Sequence, residues 1–193
     1  MTEQQLSDHH AYFFGYGSLV NRATHHFSDA HRAQLRGWRR SWVPTTLREV
    51  AFLTVTPDEH CEIDGLIAAV PADDWAALDE RERAYDRIPA SHQVAHDLTH
   101  PAEIAVYSVP ARNARATGET SILLSYLDVV VQGYLTEFGE AGVARFFATT
   151  DGWDTPILDD RAAPLYPRHQ LLTPAERALT DHHLATLNAR LIA

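Results

Sequence analysis

Two short stretches of the chain carry the residue types that do chemistry. The first is Tyr16-Gly17-Ser18-Leu19, at the end of an aromatic run. Gly17 lets the backbone turn sharply and lets another group come close. Such a turn exposes successive backbone N–H groups, which form a concave site for an anion. A plain tight turn accounts for the same four residues equally well. The second stretch is Leu78-Asp79-Glu80-Arg81-Glu82, with Tyr85 one turn on. On a helix, Trp75, Leu78 and Glu82 share a face, so the spacing turns Glu82 toward the core side and leaves Glu80, Arg81 and Arg83 in solvent. Burial disfavours a charged carboxylate and raises its pKa toward neutrality, where one group can serve first as base and then as acid. The competing reading pairs Glu82 with Arg81, Arg83 or Arg87 on a solvated face.

Other reactive residue types fit chemistry less well. Ser18 lacks the G-x-S-x-G elbow of a nucleophilic serine, and no His or Asp partner is implied. The chain has 12 histidines, but His9-His10, His25-His26 and His182-His183 are adjacent pairs whose side chains diverge. His92 and His96 fall in a stretch that reads as strand, and no H-E-x-x-H occurs. Surface or core histidines are therefore expected, and no metal. Cys61 has no cluster around it and reads as a small buried residue. Trp38, Trp42 and Trp75 read as core.

These side chains need elements to hold them. Residues 1–11 read as a mobile tail, with the remaining 12–193 as one domain. Strands are expected at 11–16, at 33–45 with a bend at Gly37, at 50–57 and at 62–71, the last two each closed by a proline. Residues 19–32 are polar and irregular, with room for one helical turn. Asp73 or Asp74 can cap a helix over "WAALDERERAYD", which "RIPA" ends. Residues 91–100 and 102–110 read as two further strands. From Ser121 the character changes. An amphipathic helix is interrupted or ended near Gly133, and a shorter helix follows over "EAGVARFFATT". Residues 151–169, with three prolines, form a long loop that is either a lid or a surface feature. A last helix has Thr173 as its N-cap and Pro174 at its first position. Strands fill the first half and helices the second, which is the α+β pattern.

Composition bounds the partners. The chain has 193 residues, 45% of them hydrophobic, and a formal net charge of −10. A chain of this length buries roughly 70% of its unfolded surface, enough for a real core. The negative charge argues against nucleic acid, which needs a positive face, and against anionic membranes. A local pocket for a small acidic substrate remains compatible with it. No stretch approaches the ~18–20 apolar residues of a membrane span, and the polar N-terminus is not a signal peptide. Cys61 is the only cysteine, so no disulfide forms within the chain and a cytoplasmic location is expected. Oligomeric state leaves no mark.

The order "FFGYGSL", "LRGWRRSW", "EIDGLIAAV", "LDERERAYDR" resembles the gamma-glutamylcyclotransferase-like superfamily, which includes the mammalian-type enzymes, the ChaC-type glutathione-degrading enzymes and the AIG2-like proteins. The four motifs fall in order across residues 12–87. The resemblance implies a small mixed β-barrel or curled sheet flanked by helices. It implies an enzyme with no cofactor, whose substrate is a gamma-glutamyl amino acid, peptide or amine and whose product is 5-oxoproline. Glu82 matches the acid/base, and Tyr16, Gly17, Ser18 and Leu19 match the loop that holds the gamma-glutamyl part. Tyr126, in "LLSYLDVVVQGY", resembles a tyrosine near the pocket. The chemistry is consistent: the substrate's own α-amine attacks the side-chain carbonyl, and a tethered nucleophile loses little entropy. A binding module for a gamma-glutamyl or other small acidic metabolite, without turnover, is the alternative.

Overall fold

The aromatic run at the start of the chain becomes the middle of a sheet. In the computed structural model, which describes residues 10–72, 74–115 and 120–193, strand β1 (His10–Gly15) lies between two partners. It pairs antiparallel with β3 (Ala51–Ala69) and parallel with β6 (Ala102–Ser108). Successive side chains point to opposite faces of a strand. Tyr12 and Phe14 accordingly enter the main core, and Phe13 enters a second cluster with Leu19, Ala68, Val70, Leu78 and Tyr107. A central strand covered on both faces reads as an unbroken apolar run, as this one does.

The sheet runs β4-β6-β1-β3-β2-β5, with β8 added to β2. Here β2 is His31–Pro44, β4 is Asp86–Pro89, β5 is Val94–Ala95 and β8 is Thr150–Asp151. It is mixed and does not close on itself, so of the two expected forms the open, curled sheet is correct and the barrel is not. A small parallel sheet joins β7 (Ile122–Leu123), β9 (Ile157–Leu158) and β10 (Leu191–Ile192). The described helices are α1 (Trp75–Arg81), α2 (Leu124–Ala148) and α3 (Pro174–Thr186).

Several expected boundaries move. His10, read as tail, already pairs with Ala102, and Ala11, where the tail and the first expected strand overlap, pairs with Glu103, while residues 1–9 lie outside the described residues. The expected strands at 50–57 and 62–71 are one strand. Its register against β2 jumps between Arg36↔Glu62 and Trp38↔Pro57, so residues 58–61 form a bulge opposite Gly37. Pro57 sits at that irregularity, where the missing N–H costs no ladder bond. "RIPA" ends no helix; its first three residues belong to β4. Residues 91–100 contribute only the two-residue β5. α3 keeps its predicted Thr173 cap and Pro174, with a capping box completed by Glu176, but stops at Thr186.

Helix α2 corrects the reading of Gly133. The helix runs through it, and the break falls at Gly139, whose φ of 67° and ψ of −173° leave the helical region. Gly133 serves close approach instead: a Cβ there would lie 2.7 Å from the Asn21 backbone nitrogen. The loop that follows β1 therefore rests directly on α2.

Candidate active site

Glu82, Tyr16, Gly17, Ser18, Leu19 and Tyr126 all line one cleft, together with Phe14, Gly15, Leu53, Tyr85 and Tyr107. Its volume is about 320 Å³ including the open mouth. In the sequence this set runs from Phe14 to Tyr126; the β1–β3–β6 core and α2 bring its members together.

The loop is held from behind. After β1 the chain enters a 3-10 turn, Ser18–Val20, closed by Val20 N–H to the Gly17 carbonyl at 3.0 Å. The Tyr16 carbonyl accepts from Arg40 Nε at 3.2 Å and lies 3.0 Å from the Tyr134 hydroxyl. A trans peptide points its C=O and N–H in opposite directions, so this grip turns the Gly17 N–H away from Arg40. Arg40 is fully buried. Its other donors reach the Asp64 carbonyl at 2.6 Å and Thr149 Oγ1 at 2.7 Å, and its guanidinium lies over the Tyr134 and Phe146 rings. Asn21 clamps the end of the loop, donating from Nδ2 to the Val129 carbonyl at 3.0 Å and to Gln132 Oε1 at 2.9 Å.

The L-D-x-x-E stretch divides its work by residue. Leu78 is the buried anchor of α1. Asp79 accepts from the Tyr107 hydroxyl at 2.6 Å. Glu82 is the C-cap of α1, just beyond the helix rather than on its face, with its N–H on the Leu78 carbonyl at 2.9 Å. Its side chain is 16% exposed. Burial pushes the Glu82 carboxyl above the ordinary range, and the positive charges of Arg81 and Arg168, with a hydrogen bond from Arg81, pull it part of the way back.

Arg81 departs from its expected place in solvent. Its side chain is 10% exposed, and Nε sits 3.1 Å from Glu82 Oε1. The same guanidinium donates to the Thr24 carbonyl at 2.9 Å and reaches Ser18 Oγ at 3.4 Å. Arg81 thus ties the carboxyl to the loop. The ion pair read from the sequence exists, but inside the cleft and not on a solvated face. Glu80 and Arg83 are exposed as expected and pair with each other at 3.2 Å.

Tyrosines make the remaining wall. The Tyr16 hydroxyl donates to the Tyr107 carbonyl at 2.7 Å and the Tyr85 hydroxyl to the Leu53 carbonyl at 3.0 Å. Burial pushes the Tyr16, Tyr85 and Tyr126 hydroxyls well above the ordinary tyrosine range, so they remain neutral donors. The Tyr126 hydroxyl accepts from the Ser18 backbone. It also occupies the space beside Gly17, where a Cβ would lie 2.6 Å from it. Beneath the loop, His25 Nε2 meets the Leu19 carbonyl at 3.1 Å. Burial pushes the His25 ring down to about 4, so it is a neutral donor at physiological pH.

Among the described residues no group of three or more His, Cys, Asp or Glu side chains could hold a metal ion, and no described helix is long and apolar enough to cross a membrane. The cleft sets the Tyr16–Leu19 loop and a wall of tyrosines around one carboxyl group of raised pKa. The model of the family described as gamma-glutamyl cyclotransferase, AIG2-like, matches residues 13–125. The chain belongs to this family. The match takes in the loop and Glu82 and stops one residue short of Tyr126.

Solved structures share the fold. The crystal structure of YkqA from Bacillus subtilis is 19% identical, with a TM-score of 0.55 over 76% of this chain and 57% of that one. This chain thus spans little more than half the length of the Bacillus protein. A gamma-glutamyl cyclotransferase structure is 14% identical, with a TM-score of 0.55 over 88% of this chain and 98% of its own. An uncharacterized protein from Homo sapiens is 15% identical, with a TM-score of 0.55 over 89% and 96%. No curated protein matches the chain.

Sequence reasoning missed Arg40, Arg81 and Tyr107. For Arg40 a signal was there: Trp38, Arg40 and Trp42 alternate along one face of β2, which puts the arginine between two core tryptophans. The contribution of Tyr107 depends on the register of β6 and had no local sign.

Proposed function

We propose that this protein is a gamma-glutamyl cyclotransferase acting by intramolecular aminolysis. The observation that carries the reading is the convergence of the Tyr16–Leu19 loop and the partly buried Glu82 carboxyl on one cleft. The loop holds the gamma-glutamyl half through the backbone N–H groups that its own contacts leave open, that of Gly17 first among them. The neutral α-amine attacks the side-chain carbonyl. The new N–C bond closes a five-membered ring as the old C–N bond breaks. Glu82 takes the proton from the attacking nitrogen and returns it to the departing one, so 5-oxoproline and a free amine leave with no water consumed. A raised pKa suits both steps, because it moves the carboxyl toward the range in which a group both accepts and gives a proton. No step calls for a metal or cofactor. The lone Cys61 suits a reducing, cytoplasmic setting.

One observation favours a second reading, a binding module without turnover: Arg81 already pairs with Glu82, and a paired carboxylate is a weaker base. The two part on one experiment. The purified protein is incubated with glutathione, gamma-glutamyl-alanine and gamma-glutamyl-ethylamine, and 5-oxoproline is read by mass spectrometry beside the Glu82→Gln variant. The enzyme releases 5-oxoproline from at least one substrate, and Glu82→Gln loses about 10²–10⁴-fold in kcat. Saturable binding with no 5-oxoproline from any of the three gives the binding module instead.

A further inference from the structure

The family match ends at Ser125, yet Tyr126, just beyond it, lines the cleft, and a later segment of the chain packs against Tyr126. Residues 159–172 are fastened to the start of α2 and to α3. Asp160 accepts the Ser125 N–H at 2.7 Å and the Leu165 N–H at 2.9 Å. Arg161 forks onto Asp128 at 2.7 and 2.8 Å and reaches Asp181 at 2.8 Å. The Tyr166 N–H donates to Ser125 Oγ at 3.3 Å, and its ring meets Tyr126 edge-on at 5.0 Å. The next residues form a tight turn, closed by the His169 N–H on the Tyr166 carbonyl at 3.1 Å. Pro167, second in that turn, fixes its φ. Arg168 therefore stands on a rigid tip, two residues from a side chain that packs on the cleft wall. It is exposed, and among the described residues it has no ion-pair partner.

We propose that the turn Tyr166-Pro167-Arg168-His169 is the subsite for the leaving half of the substrate, and that Arg168 selects a leaving amine bearing a carboxylate. This rests on the cyclotransferase reading. In a gamma-glutamyl amino acid the carboxylate sits on the carbon next to the scissile nitrogen. With the gamma-carbonyl at Glu82, that carboxylate emerges at the mouth of the cleft. A guanidinium at the mouth meets it with a two-pronged donor geometry that an alkylamine cannot use. The field of Arg168 reaches Glu82 itself, which it favours in the charged form. In a chain of net charge −10, an exposed cation here also offsets the surrounding repulsion of an acidic substrate.

The test compares gamma-glutamyl-alanine with gamma-glutamyl-ethylamine, which differ only by the carboxylate of the leaving half. kcat/KM is measured from 5-oxoproline release for the wild type, Arg168→Gln and Arg168→Lys. The ratio between substrates is the readout, because any effect of Arg168 on Glu82 changes both alike. The wild type prefers gamma-glutamyl-alanine by roughly tenfold, between the yields of an exposed ion pair and a buried charge-assisted hydrogen bond. Arg168→Gln brings the ratio below about threefold, chiefly through KM for gamma-glutamyl-alanine, and Arg168→Lys keeps part of the preference. A wild-type ratio near one overturns the proposal, as does an Arg168→Gln variant that slows both substrates by the same factor; either leaves the cyclotransferase standing. No 5-oxoproline from either substrate overturns the cyclotransferase reading and this inference with it.

Discussion

The two walls of the cleft are built by different means. The wall made by the Tyr16–Leu19 loop is gripped from the dry interior. Its Tyr16 carbonyl takes hydrogen bonds from Arg40 and Tyr134, both fully buried, and these partners lie on β2 and α2. The outer side, residues 159–172, packs on the cleft through Tyr166 against Tyr126 and is held by side chains, the buried Asp160 on Ser125 and Arg161 on Asp128. Holding a backbone carbonyl fixes main-chain geometry whatever side chains the loop carries. Holding a turn by side chains fixes its place but leaves its tip free to vary. On the proposed function, the first arrangement suits the half that every gamma-glutamyl substrate shares, and the second suits the half that differs.

Changes to the inner wall should therefore harm the protein as a whole. Arg40→Lys keeps the charge but loses the fork that serves the Tyr16 and Asp64 carbonyls, and denaturant unfolding should show a loss of about 2–4 kcal/mol. Gly17→Ala forces the Tyr126 hydroxyl out of its place. The fold survives, while kcat/KM for all gamma-glutamyl substrates falls together by roughly ten- to hundredfold. A loss confined to one substrate would erase the distinction between the walls.

Arg81→Gln frees the loop from Glu82 and, through the lost charge, acts on the proposed acid/base. The Arg81 charge holds the Glu82 pKa down against burial, so its removal raises that pKa further. Glu82 must be a carboxylate to take the first proton. The acid limb of the pH–kcat profile should thus move to higher pH, with activity lost first on the acid side. An unmoved limb would show that Glu82 is not the titrating group. The smallest effect belongs to the outer wall: Tyr166→Ala frees the turn from Tyr126, and KM for gamma-glutamyl-alanine should rise roughly two- to tenfold with kcat little changed.

What could be read from the sequence follows the same division. The central strand and the cap of α3 were legible because each is set by a local apolar run or by one capping residue. Glu82 and the loop were legible as a motif set, although neither contact between them nor the role of Arg81 was. An arginine in an acidic helix looks solvated, and only the approach of Thr24 and Ser18, some 57 to 63 residues away, buries it. The break in α2 was misplaced because two glycines compete within one helix. Gly133 fills the composition of a breaker, yet its lack of a side chain serves the neighbouring loop, and only Gly139 adopts a non-helical backbone. Tyr166 and Arg168 reach the cleft through a register of loop contacts that no spacing rule expresses.

The space shared by Gly17 and Tyr126 also restricts the paths by which this sequence can change. A methyl group at position 17 and a hydroxyl at position 126 claim the same volume, 2.6 Å apart, whereas the ring carbon behind that hydroxyl is at an ordinary 3.8 Å. Tyr126→Phe should therefore make Gly17→Ala tolerable, and the reverse order should not be passable without loss. The two positions form an epistatic pair in which the tyrosine must change first.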